Sequence, residues 1–232
     1  MDATPRNLVQ AMGLGCVAGY VDTLGFMALF GLFTAHVTGN FVLIGIGLAD
    51  PTQAPILLKV LAFPAFISGV AGARLLITVS QRHRWPELTL ALLLQLLLLC
   101  GFMACGLIAA PIHAVVTPFA MAAGLLGAAA MGAHGATSRL LLAHLAPTSM
   151  MTGNVTQIVI DLMDQLSGAA DDAIGAHFAK FVWPLLAFGV GAVLAGFAYL
   201  AFGFAALLLP IAILCCLVAL QWRADQQALA AH

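Results

Sequence analysis

TAHVTGN at residues 34–40 and TSMMTGN at residues 148–154 are the two stretches on which the reading of this chain turns. Each sets a Thr-Gly-Asn break inside otherwise apolar sequence. Lipid offers no hydrogen-bond partners, so backbone released from a helix within a bilayer must be satisfied by protein or by water in a cavity. A break that recurs once in each half of a membrane protein therefore points to a binding site.

The surrounding composition sets the class. Of 232 residues, 63% are hydrophobic and 7% charged, against about 25% charged in an ordinary soluble domain. This is the composition of an integral membrane protein. The net charge is −1, with no basic block and no acidic tail, so nucleic acid is not an expected partner. Cys16, Cys100, Cys105, Cys215 and Cys216 all lie in apolar runs. Their odd number and spacing argue against a disulfide framework or a metal site. No HExxH, GxSxG, phosphate-cradling glycine loop or CxxC is present, so no catalytic set and no cofactor is expected. The opening MDATPRNLVQ lacks a clear cleavage site, and an uncleaved first span is expected after it.

Crossing a bilayer takes about 20 apolar residues. The charge-free stretch 181–222 is about twice that length and must fold back, most naturally at Phe202-Gly203. Stretch 88–138 must also turn once, at Pro111, leaving spans near 88–109 and 113–135, and 56–79 supplies another. One helix over 8–33 leaves only 41–49 beyond the first break, too short to cross. Segments 37–49 and 149–163 are therefore read as re-entrant or half-buried. The expectation is an all-α polytopic protein with about six transmembrane helices in one transmembrane domain, 1–232.

Basic residues gather on the cytoplasmic side of membrane proteins. With the N-terminus inside, this topology places Arg6, Arg82, Arg84, Arg139 and Arg223 together in the cytoplasm, with both termini and the 81–87 loop. Eight spans would split them. Trp85, Trp183 and Trp222 fall at span ends, where interfacial aromatics sit. A repeat is also visible. Lys59, Phe63-Pro64, Gly69 and Gly72 follow the first break, and Lys180, Trp183-Pro184, Gly189 and Gly191 follow the second. Repeats at about 8–109 and 112–222 with an odd number of spans each would be inverted relative to one another.

The motifs GYVDTLGF at 19–26, AHVTGN at 35–40, AMGAHGATSR at 130–139 and MMTGN at 150–154 occur in order along nearly the whole chain. In these the sequence resembles the YoaK-type family of bacterial inner-membrane proteins, a family without an assigned function. It departs from the usual Gln-Asn of that family at His134-Gly135. The resemblance implies a polytopic bacterial inner-membrane protein and supplies no substrate.

Asp22 lies deep in the first apolar run, where a charge costs at least ~2.5–3.5 kcal/mol, so it should face the bundle interior. It reads either as a coupling carboxylate or as a buried cap of a broken helix. Thr38, Gly39 and Asn40, with Thr152, Gly153 and Asn154, are candidate substrate-binding groups aimed at a common midplane point, and alternatively simple turns. His36 and His134 flank the breaks and could relay protons with Asp22, or could merely pack. Lys59 and Lys180 read as snorkelling span ends. Gly15 and Gly19, Gly69 and Gly72, and Gly189 and Gly191 read as close-packing faces. Gln95 interrupts a leucine run, and Asp161, Asp164, Asp171 and Asp172 read as a solvated acidic loop.

The function expected from these features is secondary transport or facilitated passage of a small solute or ion across the bacterial inner membrane, in contact with membrane lipid. A homo-oligomer is compatible with the sequence. The alternatives are an intramembrane enzyme using Asp22 and His36, and a non-transporting scaffold.

Overall fold

Long runs of Leu, Ala, Val and Ile with few turn residues favour helices, and every regular element among the described residues is helical. The computed structural model describes residues 5–50, 55–113, 115–168 and 174–230. The helices are α1 (Pro5–Ala28), α2 (Gly39–Ala49), α3 (Ile56–His83), α4 (Glu87–Ala109), α5 (Pro118–Leu140), α6 (Met151–Ser167), α7 (Ile174–Phe202) and α8 (Leu208–Ala230). Five stretches are long and apolar enough to cross a membrane: Arg6–Ala28, Ile56–His83, Glu87–Ala109, Pro118–Leu140 and His177–Ala228. The last spans 52 residues. It is broken by a 3-10 turn, Gly203–Leu207, entered at Gly203 with φ 56, a left-handed backbone that glycine adopts at little cost.

Side-chain partners give the helix directions. Gln10 pairs with Gln221, and Gly13 meets Leu217, so α1 and α8 are antiparallel. Gly15 meets the Pro184 carbonyl and Gly19 the Phe188 carbonyl, so α1 and α7 are parallel. The chain therefore reverses between α7 and α8, at the corner expected from the sequence. By the same reasoning α3 is parallel to α5, through Leu58 at Gly124 and Phe66 at Gly132. Helix α4 is antiparallel to α5, through Gln95–His134 and Phe102 at Gly127, and to α8, through Thr89–Asp225 near its end and Gly106 at Phe204 of the turn that leads into it. Helices α1, α4 and α7 thus run one way and α3, α5 and α8 the other. Arg6, Arg82, Arg84, Arg139 and Arg223 consequently lie toward one end of the bundle.

The most extensive packing joins α1 to α7 and α3 to α5. Both pairs use the same device. A Cβ at Gly19 would overlap the Phe188 carbonyl, and one at Gly132 the Phe66 carbonyl; a Cβ at Gly191 would overlap the Cys16 carbonyl, and one at Gly69 the Ala129 carbonyl. Backbones this close gain dispersion and weak Cα–H···O contacts, which drive helix association where lipid removes the hydrophobic force. Gly72 and Gly189, expected on the same faces, instead front open space. They lie on the wrong side of their helices.

The outer surface is apolar. Leu75, Leu97, Phe197 and Leu200 are each at least 66% exposed, far beyond the patches a soluble monomer shows, and lipid is their natural solvent. The buried core gathers around Tyr20, Leu24, Leu29, Phe102 and Leu207. Tyr20 donates its hydroxyl to the Ala206 carbonyl at 2.9 Å, tying α1 to the turn before α8.

Within segments 37–49 and 149–163 lie the shorter helices α2 and α6, the latter extending to Ser167. Several local readings change. Lys59 does not snorkel: it is buried, and its Nζ donates to the Phe30 carbonyl at 2.8 Å. That carbonyl belongs to a turn residue with φ 56 beyond the end of α1, where no helical N–H reaches it. Gln95, the polar interruption of the leucine run, is fully buried. Asp161 is no loop residue. It is buried on α6, where it accepts from Gln157 at 2.8 Å and contacts His177 of α7 at 2.8 Å. Asp164 is exposed on the same helix. Residues 1–4, Asp171 and Asp172 lie outside the described residues.

Gly19→Ala and Gly132→Ala should each destabilise the folded protein by about 1–3 kcal/mol, since backbone must move to admit the methyl. Gly72→Ala and Gly189→Ala should be neutral or stabilise by up to ~1 kcal/mol through helix propensity. Thermal melts of the four variants in one detergent check the contrast, and equal effects at all four positions would refute the carbonyl contacts.

Candidate functional site

The chain leaves α1 at Ala28 and must satisfy the backbone of residues 29–38 before α2 begins. Asp22 takes up the middle of this stretch. Its Oδ1 accepts the Thr34 and Ala35 N–H groups, each at 2.7 Å, and receives weaker contacts from the His36 N–H at 3.4 Å and the Thr34 hydroxyl at 3.3 Å. Its Oδ2 lies 2.7 Å from His36 Nδ1. Asp22 is 5% exposed, so the cap reading and the acid–base reading describe the same carboxyl.

Asn40, in the first turn of α2, closes the loop from the other side. Its Nδ2 donates to the Phe33 carbonyl at 2.8 Å while its Oδ1 accepts the Phe33 N–H at 3.0 Å. Side chain and main chain pair like two strand residues.

The second loop repeats this plan with different parts. Asn154 Nδ2 donates to the Pro147 carbonyl at 2.8 Å, across the same separation of seven residues. Proline has no N–H, however, and Asn154 Oδ1 is buried without a hydrogen-bond partner. Thr148 occupies the place of Thr34, and here His134 holds it. His134 Nε2 lies 2.8 Å from Thr148 Oγ1, its Nδ1 lies 3.0 Å from Gln95 Nε2, and the Thr148 hydroxyl reaches Ser138 at 3.4 Å. Gln95 can only donate through that nitrogen. His134 Nδ1 is then the acceptor and Nε2–H the donor to Thr148, which describes a neutral imidazole.

Two loops built on one plan thus stand at the ends of two oppositely directed helices, α1 and α5. A model described as a protein of unknown function (DUF1275) matches residues 10–220, which contain both loops. The chain belongs to the DUF1275 family. The UPF0700 transmembrane protein YoaK of Bacillus subtilis (strain 168) is 32% identical over 149 residues, 62% of this chain and 66% of that relative. The match thus covers just under two thirds of the relative's length. No solved structure matches.

Within this DUF1275 chain the predicted site residues separate. Asp22 and His36 come together. His134 belongs to the other loop, where it contacts neither. Thr38, Thr152 and Gly153 are exposed, while Asn40 and Asn154 are fully buried against their own loops. Since α1 and α5 run in opposite directions, the two loops lie at opposite ends of the bundle, and α2 makes no contact with α6. The two asparagines do not converge on one point. The residues that matter in each quoted heptad are its first and last, Thr34 with Asn40 and Thr148 with Asn154. Their recurrence at both ends of the heptads was the available signal.

His36 is the accessible part of the site. Its side chain is 36% exposed and lies edge-on to Phe33 and Phe188, at 6.4 and 5.7 Å. The hydrogen bond to Asp22 raises its pKa above the usual histidine value, against burial, which lowers it. Nδ1 is held by Asp22, leaving Nε2 to meet a ligand or water. Among the described residues no group of three or more His, Cys, Asp or Glu is placed to hold a metal.

Asn40→Ala should cost roughly 2–3 kcal/mol, because it strands two main-chain groups. Asn154→Ala should cost only about 1 kcal/mol, because it removes an acceptor already unpaired. Equal losses in thermal melts would contradict the pairing. The histidine adds a pH signature. A raised folded value means that the stabilisation is complete below the unfolded value, near 6.5, and is lost as pH rises through the higher folded value. Wild-type melting temperature should therefore fall across that window relative to His36→Gln, and parallel profiles would remove the contribution of the pair.

Proposed function

We propose that the protein is a secondary transporter or facilitator of a small solute in the bacterial inner membrane. It is built from two inverted repeats, about 8–109 and 112–222, with α1, α3, α4, α5, α7 and α8 as the spanning helices and both termini cytoplasmic. The observation that carries this reading is the glycine-to-carbonyl contact made twice, by α1 on α7 and by α5 on α3, in pairs that run in opposite directions. Each pair takes one helix from each half of the chain. Two rigid units of this kind, joined by fewer contacts between α1 and α5, can rock and expose a path to one side at a time.

The loops at opposite ends then serve as gates rather than as one shared midplane site. His36, resting on Phe188 of α7, places a titratable group where α1 meets its partner helix, and so offers a route for proton coupling. The gathering of five arginines at one bundle end supports the cytoplasmic assignment of that end.

Single cysteines at Val37 and Met151 in a cysteine-free background test the proposal. A proton gradient or transported solute should raise labelling of one from its aqueous side while lowering the other. Equal labelling insensitive to both would overturn alternating access. A cysteine at Gln81 should react only from the cytoplasmic side.

One specific observation favours a second reading, an intramembrane acid–base enzyme. Asp22 and His36 are in contact at 2.7 Å. The other half has no second acid–base pair: a neutral His134 takes the place of the carboxyl there, and Met150 stands where His36 does in the first heptad. In a transporter, Asp22→Asn should abolish gradient-driven accumulation while sparing part of the downhill flux. In an enzyme it should abolish turnover with no flux to spare.

A further inference from the structure

Apart from the turn that leads into it, α8 packs on α1 and α4 alone, and α1 and α4 do not pack on each other. Helix α8 therefore lies across a seam. On one side is α1, locked to α7 by glycine-to-carbonyl contacts; on the other is α4, seated on α5, which is locked to α3 in the same way. At the seam itself the contacts are between side chains. Gly13 of α1 faces the Leu217 and Ile213 side chains of α8, with no carbonyl close by.

The two ends of α8 are held differently. At its start, the 3-10 turn Gly203–Leu207 is anchored to three helices. Phe204 is buried with its ring 6.1 Å from Phe102 of α4 and 6.0 Å from Tyr199 of α7. Pro210 has no N–H to give the Ala206 carbonyl, four residues back, and the Tyr20 hydroxyl of α1 reaches that carbonyl at 2.9 Å. A short 3-10 turn between two long helices, fixed in place, is a suitable pivot.

From the turn onward, Leu207, Leu214, Leu217 and Gln221 are the buried residues at helical spacing, while Cys215, Cys216, Leu220 and Trp222 are exposed. The buried face is apolar until Gln221, at the arginine-bearing end. There Gln221 Oε1 accepts from Gln10 of α1 at 3.1 Å and from Arg6, its Nε2 donates to Asp225 at 2.8 Å, and Asp225 accepts the Thr89 hydroxyl of α4 at 2.6 Å. One chain of hydrogen bonds thus runs from α1 through α8 to α4. Parting a purely leucine seam would expose apolar surface to water, whereas amide, hydroxyl and carboxylate groups exchange one another for water at small net cost. The polar end is the end that can open reversibly.

We propose that α8 is a strap over the seam between the two glycine-locked pairs, pivoting at the turn Gly203–Leu207 and latched at the arginine-bearing end by Gln221 and Asp225. Release of the latch opens that end. The strap supplies a gate for the rocking described under the proposed function, and its role in transport rests on that reading.

A single cysteine at Leu217, one turn inside the latch and buried against α1, tests the strap in a cysteine-free background. Thiol reagents attack the thiolate, which forms in water and not in a packed apolar seam. Thr89→Val and Gln10→Leu each remove one hydrogen bond without altering α8, and each should speed modification of the Leu217 cysteine by a water-soluble maleimide roughly fivefold, with a larger gain in the double variant. Thr89→Ser keeps the donor and should react at the original rate; if the double variant does not fold, Thr89→Val against Thr89→Ser is the deciding comparison. A cysteine at Leu214 should respond in the same direction and less, being nearer the pivot. Faster labelling confined to a cysteine at Gln221 would show fraying of the last turns and overturn the strap, as would rates at Leu217 that the variants leave unchanged. If those rates are unchanged while the cysteines at Val37 and Met151 still respond in opposite senses, the strap is discarded and alternating access stands. If the Leu217 rates rise while Val37 and Met151 stay insensitive, the strap is kept and transport is removed.

Discussion

Main-chain groups freed from a helix within an apolar environment must find partners in the protein, and the architecture of this chain follows from how that demand is met at two places. At the end of α1, one carboxyl collects consecutive amide N–H groups while Lys59 from α3 takes up the Phe30 carbonyl. Two charged residues in the apolar sequence are thereby accounted for by backbone rather than by each other. Their burial is tolerable because Asp22 has several partners in fixed positions and Lys59 a main-chain carbonyl, which offset the water they give up. The same loop delivers His36 to the α1–α7 contact, so the capping chemistry and the accessible titratable group are one arrangement.

The second loop shows what happens when the same plan is executed with other residues. A neutral histidine held by a glutamine replaces the carboxyl, and proline replaces phenylalanine at the residue that asparagine reads. The asparagine then keeps its donor bond and loses its acceptor bond. Geometrical correspondence between the halves therefore coexists with chemical difference. One loop carries an acid–base pair exposed at its edge, and the other a chain of hydrogen bonds that leaves two amide oxygens, Gln95 Oε1 and Asn154 Oδ1, unsatisfied. A protein whose halves were interchangeable would have no such distinction between its two ends.

The helix pairs supply the rigidity on which both loops depend. Glycines at four positions admit a neighbouring carbonyl where any side chain would obstruct it, so α1 locks to α7 and α3 to α5. Each lock joins a helix from one half of the chain to a helix from the other. Neither half can assemble its own pairs alone, and a contact between residues such as Gly19 and Phe188, far apart in sequence, carries a substantial loop-closure cost in folding.

Membrane character, helical class, the corner at Gly203 and the helix breaks at TAHVTGN and TSMMTGN were all legible in the sequence. Hydropathy, span length and local repetition are properties of short stretches. The family was legible too, from ordered motifs. What only the tertiary structure decided was direction and facing. Gly69 and Gly72 look alike along the chain, yet one meets a carbonyl and the other open space, because a few residues of helix turn them to different sides. Lys59 reads along the chain as a snorkelling span end and Gln95 as an interruption of a leucine run, and each turns inward to a partner contributed by a different helix or loop. The two asparagines, alike in sequence, lie at opposite ends of the bundle because the helices leading to them run in opposite directions, and no local pattern records which way a distant neighbour runs.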